Sequence, residues 1–364
     1  MIYLDNGATS FPKPEVVKRA MLQTVEHCTN PSRGGHAAAL AADRTVFQCR
    51  ETAASLFDCL PEQVVFTPGC TYALNMAIKT LVKPGSRVVI SGFEHNAVTR
   101  PLHALGAKVT VAGRKLFSPE DTLEQWENAL RQGADAAIAT HISNVFGYIL
   151  PLEQMAQLCH AYDVPLIVDA AQSAGCLPVQ LKKLGAAFIA IPGHKGLLGP
   201  QGVGMLLCGR NALPLVFGGT GNASKLQEMP GELPERAEAG TLNVPGIGGL
   251  LAGMQLVQRI GINNIFNKEQ RLARLCTEQL QQLGFRVFSG AQQSGVVSFT
   301  GEDDCEELAR YLGDRGIAVR SGLHCAPLAH ESAGTLQTGT VRVSFGYDSA
   351  QYHVQKLVDA LKRR

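Results

Sequence analysis

The feature that most constrains the fold is an alternation of short apolar runs with helical patterns between about residues 35 and 208. The runs, rich in valine and isoleucine, span residues 64–67, 87–90, 108–111, 136–139, 166–168, 188–190 and 203–207. Segments with helical spacing, such as 118–132 and 152–162, lie between them. The alternation predicts an α/β fold, with a large, mainly parallel sheet covered by helices on both faces.

The alternation stops at residues 209–242, which form a connection rich in glycine, proline and charge, including the Gly-Gly-Thr-Gly-Asn stretch at 218–222. A connection of that length is more often functional or interfacial than idle. Beyond it we predict a long helical stretch (247–283), strands near 296–299 and 341–344, and helices at 302–314 and 349–363. We therefore expect a large domain over residues 15–250 and a small α+β domain over residues 251–364, against which the N-terminal segment 1–14 packs.

Composition excludes several classes of protein. The chain has 364 residues, 45% of them hydrophobic, which is enough for a large core. Its formal net charge is +2 and it has no long basic run, so a nucleic-acid partner is not expected. It shows neither a signal-peptide pattern nor an apolar run long enough for a membrane span, which predicts a cytoplasmic protein.

Ten cysteines are scattered through apolar segments without a Cys-x-x-Cys pair. In a reducing compartment we expect most of them to be small buried hydrophobes, neither disulfides nor zinc ligands. No metal site is predicted.

Lys195 follows Asp169 by 26 residues, and each stands just beyond a predicted strand. A carboxylate at the end of a buried strand can keep a pyridinium nitrogen protonated, so that the ring acts as an electron sink. A lysine on the next connection can form a Schiff base. The pair predicts a pyridoxal phosphate (PLP) site.

Polar side chains also follow neighbouring strands. Thr71, beside Cys70, begins a predicted helix where a phosphate would meet the helix N-terminus, although ordinary helix capping explains the same residues. His95 could lie on the PLP ring and shuttle protons. Asn144 and Gln172 could donate to the phenolate oxygen of PLP. Because ligands bind at the carboxyl ends of parallel strands, these residues favour one common site.

The second half of the chain supplies three further candidates. Arg320 and Arg342 could clamp a substrate carboxylate, although a surface ion pair is the commoner role for an arginine. Arg342 lies between two valines, which favours a buried role. Cys325 follows His324 in a polar loop, where it could be a nucleophile or an inert thiol; a zinc-binding His-Cys pair is a weaker third choice.

Eight short motifs together resemble one known family. They lie at residues 3–10, 30–36, 94–96, 141–144, 168–172, 193–195, 239–241 and 320–325. The chain resembles the cysteine desulfurases, which are class V aminotransferase-like, fold-type I PLP enzymes with an aspartate aminotransferase-like fold. Within them it is most similar to the group II branch, which includes selenocysteine lyases. The resemblance covers essentially the whole chain.

The resemblance implies a role for each candidate in the cofactor site. Lys195 would form the Schiff base, Asp169 would pair with the pyridine nitrogen, Gln172 would donate to the phenolate and His95 would stack on the ring. The phosphate would be bound by Thr71 and His194, with help from Cys70, and by Thr241 of a neighbouring subunit in a homodimer.

Substrate contacts are implied in the same way. Arg342 and Asn144 would hold the substrate carboxylate, and Arg320 and Asn30 belong to the same set of substrate-binding residues. Cys325 would be the persulfide-forming nucleophile, on the short loop typical of group II.

Two residues depart from the family pattern. Pro192 stands where a serine or threonine usually contacts the phosphate, and a proline supplies neither a hydroxyl nor an N–H. Leu323 replaces a residue that is often histidine, which affects how acidic Cys325 is.

The resemblance implies conversion of L-cysteine to L-alanine, with the sulfur passing to Cys325 and then to an acceptor, for example a protein. It leaves open whether the acceptor serves iron–sulfur cluster assembly, tRNA thiolation or selenium metabolism. Alternatives are a selenocysteine lyase or cysteine sulfinate desulfinase, an aminotransferase, and a non-catalytic sulfur-relay partner that has kept the PLP fold.

Overall fold

A computed structural model describes residues 1–31, 34–221 and 224–364. Four residues of the predicted motifs and of the glycine-rich connection, Ser32, Arg33, Asn222 and Ala223, lie outside the described residues. The strands are β1 (Ile2–Tyr3), β2 (Val64–Thr67), β3 (Arg87–Ser91), β4 (Lys108–Ala112), β5 (Ala136–Thr140), β6 (Leu166–Asp169), β7 (Phe188–Pro192), β8 (Gly204–Cys208), β9 (Arg286–Phe288), β10 (Val296–Thr300), β11 (Ile317–Ala318), β12 (Arg320–Gly322) and β13 (Thr340–Ser344).

The α-helices of the described residues alternate with these strands through the first two thirds of the chain. They are α1 (Glu15–His27), α2 (Ala37–Phe57), α3 (Cys70–Leu81), α4 (Asn96–Ala104), α5 (Pro119–Arg131), α6 (Leu152–Ala161), α7 (Leu181–Leu184), α8 (Val244–Ile260), α9 (Ile262–Gln282), α10 (Cys305–Gly313), α11 (Pro327–Ala333) and α12 (Gln351–Leu361). None of them is both long and apolar enough to cross a bilayer.

The predicted mainly parallel sheet is confirmed. Its seven strands lie in the order β2-β8-β7-β6-β5-β3-β4, and only the pairings of β8 with β2 and β7 are antiparallel. Helices cover both faces, so successive residues of one strand enter two different cores. In β7, Ile189 packs into one core and Phe188 into the other. Burial on both faces explains why these strands read as unbroken apolar runs.

The C-terminal part of the chain forms a second, antiparallel sheet in the order β12-β13-β10-β9. The N-terminal segment lies against it, because β1 pairs with β11 and Asp5 forms a bridge with Ser344. The predicted boundary at residue 250 falls inside α8, and α8 packs against α1 and α2. The division into two domains stays a prediction.

Two details of the sequence-based assignment were wrong. The stretch 247–283 is two helices, since Gly261 adopts a φ of 89° between α8 and α9. The segment from Arg320, read as a loop, begins with strand β12, which pairs Arg320 with Arg342 of β13. β12 is only three residues long and has no apolar alternation, so its pairing with β13 is what defines it. The described part of 209–242 has a single helical turn, Glu235–Ala237.

Candidate active site

A cavity of about 670 Å³ lies at the carboxyl ends of β5, β6 and β7, beside the N-terminus of α3. Eight of the candidate residues line it: Cys70, Thr71, His95, Asn144, Asp169, Gln172, His194 and Lys195. Each comes from a connection that follows a strand of the central sheet or from the end of a strand. The parallel arrangement of β3, β5, β6 and β7 is what brings them to one edge.

Asp169 is the last residue of β6 and is 3% exposed. Its Oδ1 accepts hydrogen bonds from the Ala171 N–H at 2.9 Å and from the Cys70 thiol at 3.6 Å. Among the described residues, no protein group donates to Oδ2. A carboxylate oxygen without a protein donor, on a residue that lines the cavity wall, fits the protonated ring nitrogen of PLP.

Lys195 lines the same cavity, and its Nζ has no protein acceptor within the described ranges. Burial lowers the pKa of its ammonium group, while the nearby Asp169 acts in the opposite direction. A lowered pKa increases the fraction of neutral amine, which is the nucleophilic and basic form. The side chain is therefore suited to a Schiff base and to proton transfer.

The N-terminus of α3 opens into the cavity without a side-chain cap. Its N-cap residue is Gly69, and the backbone N–H groups of Cys70, Thr71 and Tyr72 have no acceptor among the described residues. Free N–H groups at a helix N-terminus make a phosphate-binding site. Ordinary side-chain capping, the alternative explanation for these residues, is not present here. Pro192 lies in the same cavity wall.

His95 caps the N-terminus of α4. Its Nδ1 accepts a hydrogen bond from the Ala97 N–H at 3.0 Å, and burial lowers the pKa of the ring. The neutral imidazole therefore carries its proton on Nε2. That nitrogen is the one left to donate a proton to a bound molecule.

The preceding residue, Glu94, was not singled out as a site residue. It is fully buried, and its Oε1 accepts from the Ser91 hydroxyl at 2.5 Å and from the Thr140 N–H at 2.8 Å. Burial raises the pKa of this carboxyl to about 8, so it holds a proton at neutral pH. The carboxyl group ties the end of β3 to the end of β5, and thereby supports the loop that carries His95. Its place in the Glu-His-Asn motif was the only sequence signal.

The N-terminal segment fixes the backbone just before Lys195. The carbonyl of His194 accepts hydrogen bonds from the Ser10 N–H at 3.0 Å and from Lys13 Nζ at 2.8 Å. The His194 ring lies 3.1 Å from the Thr9 hydroxyl, and burial lowers the pKa of the imidazole to about 4. His194 therefore faces the cavity as a neutral ring. Gln172 is fixed by the same segment, since its Nε2 donates to the Gly7 carbonyl at 2.9 Å.

Cys325 is exposed, in a loop where both His324 (φ 50°) and Cys325 (φ 57°) have left-handed backbone conformations. Such conformations are costly for residues other than glycine and need support from neighbours. The support comes from the cavity rim: the Asn144 amide donates to the His324 carbonyl at 2.8 Å, and the Asn96 N–H donates to the Cys325 carbonyl at 2.8 Å. One hydrogen of the Asn144 amide, a candidate substrate contact, is thus used to hold the loop.

The His324 side chain points away from solvent, with its Nε2 3.2 Å from the Thr340 carbonyl. Burial lowers the pKa of this imidazole to about 2, so the ring is neutral. A neutral ring supplies no positive charge to Cys325.

The two candidate arginines share one carboxylate, that of Asp5. Arg342 is 2% exposed, and it donates to Asp5 Oδ1 at 2.6 Å and to the Asn144 carbonyl at 2.9 Å. Arg320, whose side chain is half exposed, donates to Asp5 Oδ2 at 2.9 and 3.0 Å. Arg342 thus lies behind Asn144 and outside the wall of the 670 Å³ cavity. Its Nε is buried without a partner.

Asn30 and Thr241 are not in the cavity with Lys195. They line a second cavity of about 780 Å³, together with Arg50 and Glu238. Arg50 and Glu238 form a buried ion pair, with 2.5 Å between NH2 and Oε2. Within one protomer, neither of these two candidates lines the cavity of Lys195.

Comparisons with known proteins agree with the fold and the site. The family model Aminotransferase class-V matches residues 2–357. The chain is 32% identical to a probable cysteine desulfurase of Methanothermobacter thermautotrophicus, over 99% of this chain and 94% of the relative. It is 31% identical to a probable cysteine desulfurase of Pyrococcus abyssi, over 100% of this chain and 94% of the relative.

A solved structure gives the same result. The apo structure of a cysteine desulfurase from Thermococcus onnurineus superposes with a TM-score of 0.91 at 31% identity, covering 100% of this chain and 94% of that one. These matches span almost the full length of each protein. The chain belongs to the cysteine desulfurases of the class-V aminotransferase family.

Proposed function

We propose that the protein is a PLP-dependent cysteine desulfurase, which converts L-cysteine to L-alanine and keeps the sulfur as a persulfide on Cys325. One observation carries this proposal. Cys325 is the one exposed thiol among the ten cysteines, all of which lie within the described residues, and hydrogen bonds from Asn96 and Asn144 hold its loop at the rim of the Lys195 cavity.

The residues of the cavity fit PLP. Asp169 Oδ2 would accept from the ring nitrogen, His95 and Gln172 would contact the ring, and the α3 N-terminus with Thr71 would hold the phosphate. His194 would add a further phosphate contact, and Lys195 would hold the cofactor covalently. When bound, PLP supplies an electron sink for the carbon skeleton of the substrate.

The side chains of the chain perform the proton and sulfur transfers. Neutral Lys195 accepts the Cα proton of the substrate at Nζ. The Cys325 thiolate attacks the substrate sulfur, so that a sulfur–sulfur bond forms while the bond between Cβ and sulfur breaks. The electron pair of that bond stays with Cβ, and Nε2 of His95 is suited to deliver a proton to it. The proton held on Lys195 Nζ returns to Cα, alanine leaves, and the persulfide remains for an acceptor.

The substrate carboxylate would be held by Arg342 and Asn144. These two side chains are already connected to the Cys325 loop. Arg342 donates to the Asn144 carbonyl, and the Asn144 amide donates to the His324 carbonyl. Arg342 Nε has no protein partner. Substrate binding and placement of the thiol loop would thus depend on the same two side chains.

A homodimer is part of the proposal. Phe47, an exposed apolar side chain of α2, lines the second cavity with Asn30 and Thr241, and further large apolar side chains are exposed at Leu22 and Val25 of α1, Leu40 of α2 and Phe217. Exposed apolar side chains gathered on one region are typical of a protein interface. A second copy covering them would bring its own Thr241 towards the phosphate site. Sedimentation that shows a monomer with bound, active PLP would contradict this arrangement.

The proposal also includes the cytoplasm as the compartment and a protein as the sulfur acceptor. Ten unpaired thiols suit the reducing cytoplasm. The exposed position of Cys325 suits transfer of its sulfur to an acceptor protein.

A selenocysteine lyase is the second candidate. The same cavity would serve both substrates, because the leaving group of selenocysteine departs without a strict need for a thiol nucleophile. Retention of selenocysteine turnover in Cys325→Ala, together with weak activity on cysteine, would select this function.

The proposal is tested by incubating the PLP-loaded protein with L-cysteine and dithiothreitol and quantifying alanine and sulfide together. Cys325→Ala is measured in parallel, with Cys28→Ala, a partly buried thiol outside the cavity wall, as the matched control. Equal yields of alanine and sulfide, lost in Cys325→Ala and kept in Cys28→Ala, are expected. Full turnover in Cys325→Ala would overturn the assignment of the nucleophile, and a yellow protein that forms no alanine would overturn the substrate.

A further inference from the structure

The buried ion pair of Arg50 and Glu238 covers the free edge of strand β2. In the sheet of the described residues, β2 lies at one end and pairs with β8 alone, so one row of its backbone groups has no partner strand. Arg50 NH1 donates to the Val64 carbonyl, and Glu238 Oε1 accepts from the Phe66 N–H at 2.5 Å. The guanidinium also lies 4.5 Å from the centre of the Phe66 ring. Two side chains thus take the place of a neighbouring strand.

These two side chains reach the edge of β2 from different parts of the chain. Arg50 belongs to α2, whereas Glu238 belongs to the long connection 209–242. The side chains are 9% and 6% exposed, and hydrogen bonds of 2.9 and 2.5 Å join the guanidinium to both carboxylate oxygens. Burial raises the pKa of the Glu238 carboxyl, and Arg50 opposes that rise. Because separating such a pair would leave a buried charge, Glu238 is held firmly at the edge of β2.

The ion pair fixes one end of a short segment that contains Thr241. Glu238 lies three residues before Thr241, and Asn243 lies two residues after it. Asn243 is the N-cap of α8, and its Nδ2 donates to the Gly202 carbonyl at 3.2 Å. The four residues 239–242 are therefore held at both ends. Thr241 is exposed within this segment and lines the second cavity.

We propose that Arg50 and Glu238 are positioning residues for the phosphate contact of Thr241. The inference rests on the proposed function, in which Thr241 of one protomer reaches the PLP phosphate of its partner. A hydroxyl on a loose segment would lose conformational entropy when it binds a phosphate, which weakens the contact. The ion pair fixes the segment on a strand of the central sheet before PLP binds. Arg50 and Glu238 thus act on the cofactor through Thr241.

The first test is the affinity for PLP, which does not depend on turnover. The apoprotein is titrated with PLP at pH 8, and the absorbance of the bound cofactor reports occupancy. Thr241→Ala removes the hydroxyl, and we expect the Kd for PLP to rise about tenfold. Glu238→Gln keeps the shape of the side chain but turns an amide donor towards the Arg50 donors, and we expect the Kd to rise about three- to tenfold. An unchanged Kd in either variant would overturn the proposal.

Pyridoxal, which lacks the phosphate, separates positioning from general damage to the cavity. It can bind covalently to Lys195 in the same way as PLP. Its Kd should change by less than about twofold in Thr241→Ala and in Glu238→Gln, because neither variant has a phosphate contact to lose. Equal losses of affinity for PLP and for pyridoxal in Glu238→Gln would show that Glu238 supports the whole cavity, and would overturn the proposal.

A double-mutant cycle tests whether Glu238 acts through Thr241. In a Thr241→Ala background, Glu238→Gln should raise the Kd for PLP by less than about twofold, because the contact that it positions is already gone. Thr241→Ser keeps the hydroxyl, so the effect of about three- to tenfold should return in that background. Single effects that multiply in the Thr241→Ala double variant would overturn the proposal. Coupling without any cysteine turnover would support the role of Glu238 and refute the proposed reaction alone.

A matched control and a second variant complete the experiment. Glu127→Gln removes an exposed ion pair with Arg131 on α5 and should leave the Kd for PLP unchanged. Thermal unfolding shows whether each variant is folded. Should Glu238→Gln fail to fold, Arg50→Lys replaces it, because an ammonium group keeps the charge but lacks the planar fork that holds both carboxylate oxygens. A loss of affinity for PLP but not for pyridoxal is expected there, and equal losses would overturn the proposal.

Discussion

The backbone N–H of Asn96 donates a 2.8 Å hydrogen bond to the carbonyl of Cys325. The exposed thiol is thereby tied to the residue that follows His95, so the nucleophile and the proton donor of the proposed reaction are held by the same turn. The second tie, from Asn144 to the His324 carbonyl, comes from the connection after β5. The thiol loop is thus held from two connections of the central sheet.

Asn144→Ala removes one of these two ties. We expect kcat to fall about tenfold, since the two left-handed residues of the loop lose support that offsets their backbone strain. Limited proteolysis after residue 320 should become faster in the variant. Asn264→Ala, on the surface of α9, is the matched control. An unchanged cleavage rate would show that the loop keeps its place without Asn144.

Pro192→Ser supplies the hydroxyl and the N–H that the cavity lacks at the end of β7. One added hydrogen bond to a phosphate should tighten PLP binding about two- to tenfold. Equilibrium titration of the apoprotein, followed by cofactor absorbance, measures the change. A weaker affinity in the variant would mean that Pro192 is needed for the shape of the cavity.

Glu94→Gln tests whether Glu94 is protonated. Burial raises the pKa of the folded carboxyl from its ordinary 4.5 to about 8, so between these values the folded state binds more protons than the unfolded state. The contribution of Glu94 to stability is therefore present below pH 4.5 and is lost as pH rises towards 8. Glutamine does not titrate, so the Tm of the variant relative to the parent should rise between pH 5.5 and 8.5. A constant difference in Tm over this range would show that Glu94 is ionised throughout.

Arg50→Met breaks a buried ion pair in the second cavity. Arg50 and Glu238 are almost fully buried, and Glu238 also accepts from the Phe66 N–H at 2.5 Å, so the variant leaves a buried acid without its cation. We expect the free energy of unfolding to fall by about 3–5 kcal/mol. Lys183→Met, which breaks the exposed pair with Glu153, should cost less than about 1 kcal/mol. Chemical denaturation compares the two, and equal losses would contradict a special role for burial.

Much of the fold could be predicted from the sequence, because strands that are buried on both faces produce unbroken apolar runs. Strands β5, β6 and β7 are examples. The break at Gly261 was missed because one glycine within an amphipathic stretch does not by itself show a positive φ. β12 was missed because three polar or small residues form a strand only where β13 supplies hydrogen bonds. The spacing of apolar residues along a helix or a strand gives no information about a partner strand such as β13.

Much of the candidate site could also be predicted from the sequence. Residues that follow parallel strands were expected together, and eight of them line one cavity. The contact of Asp5 with Arg320 and Arg342 could not be predicted, because it depends on the packing of the N-terminal segment on a sheet made from the other end of the chain. The use of the Asn144 amide to hold the Cys325 loop depends on a similarly distant contact.

The hydrogen bond between Asp5 and Arg342 joins residues 337 positions apart. During synthesis, Asp5 therefore leaves the ribosome long before Arg320 and Arg342 are made. In that interval the Asp5 carboxylate has neither arginine to pair with. Contacts of such long range form late, because the intervening chain must first be ordered. A nascent chain can complete its large sheet and still lack Arg342, the arginine that the proposed function places on the substrate carboxylate. The proposed substrate site is thus complete only when the last strand, β13, is in place.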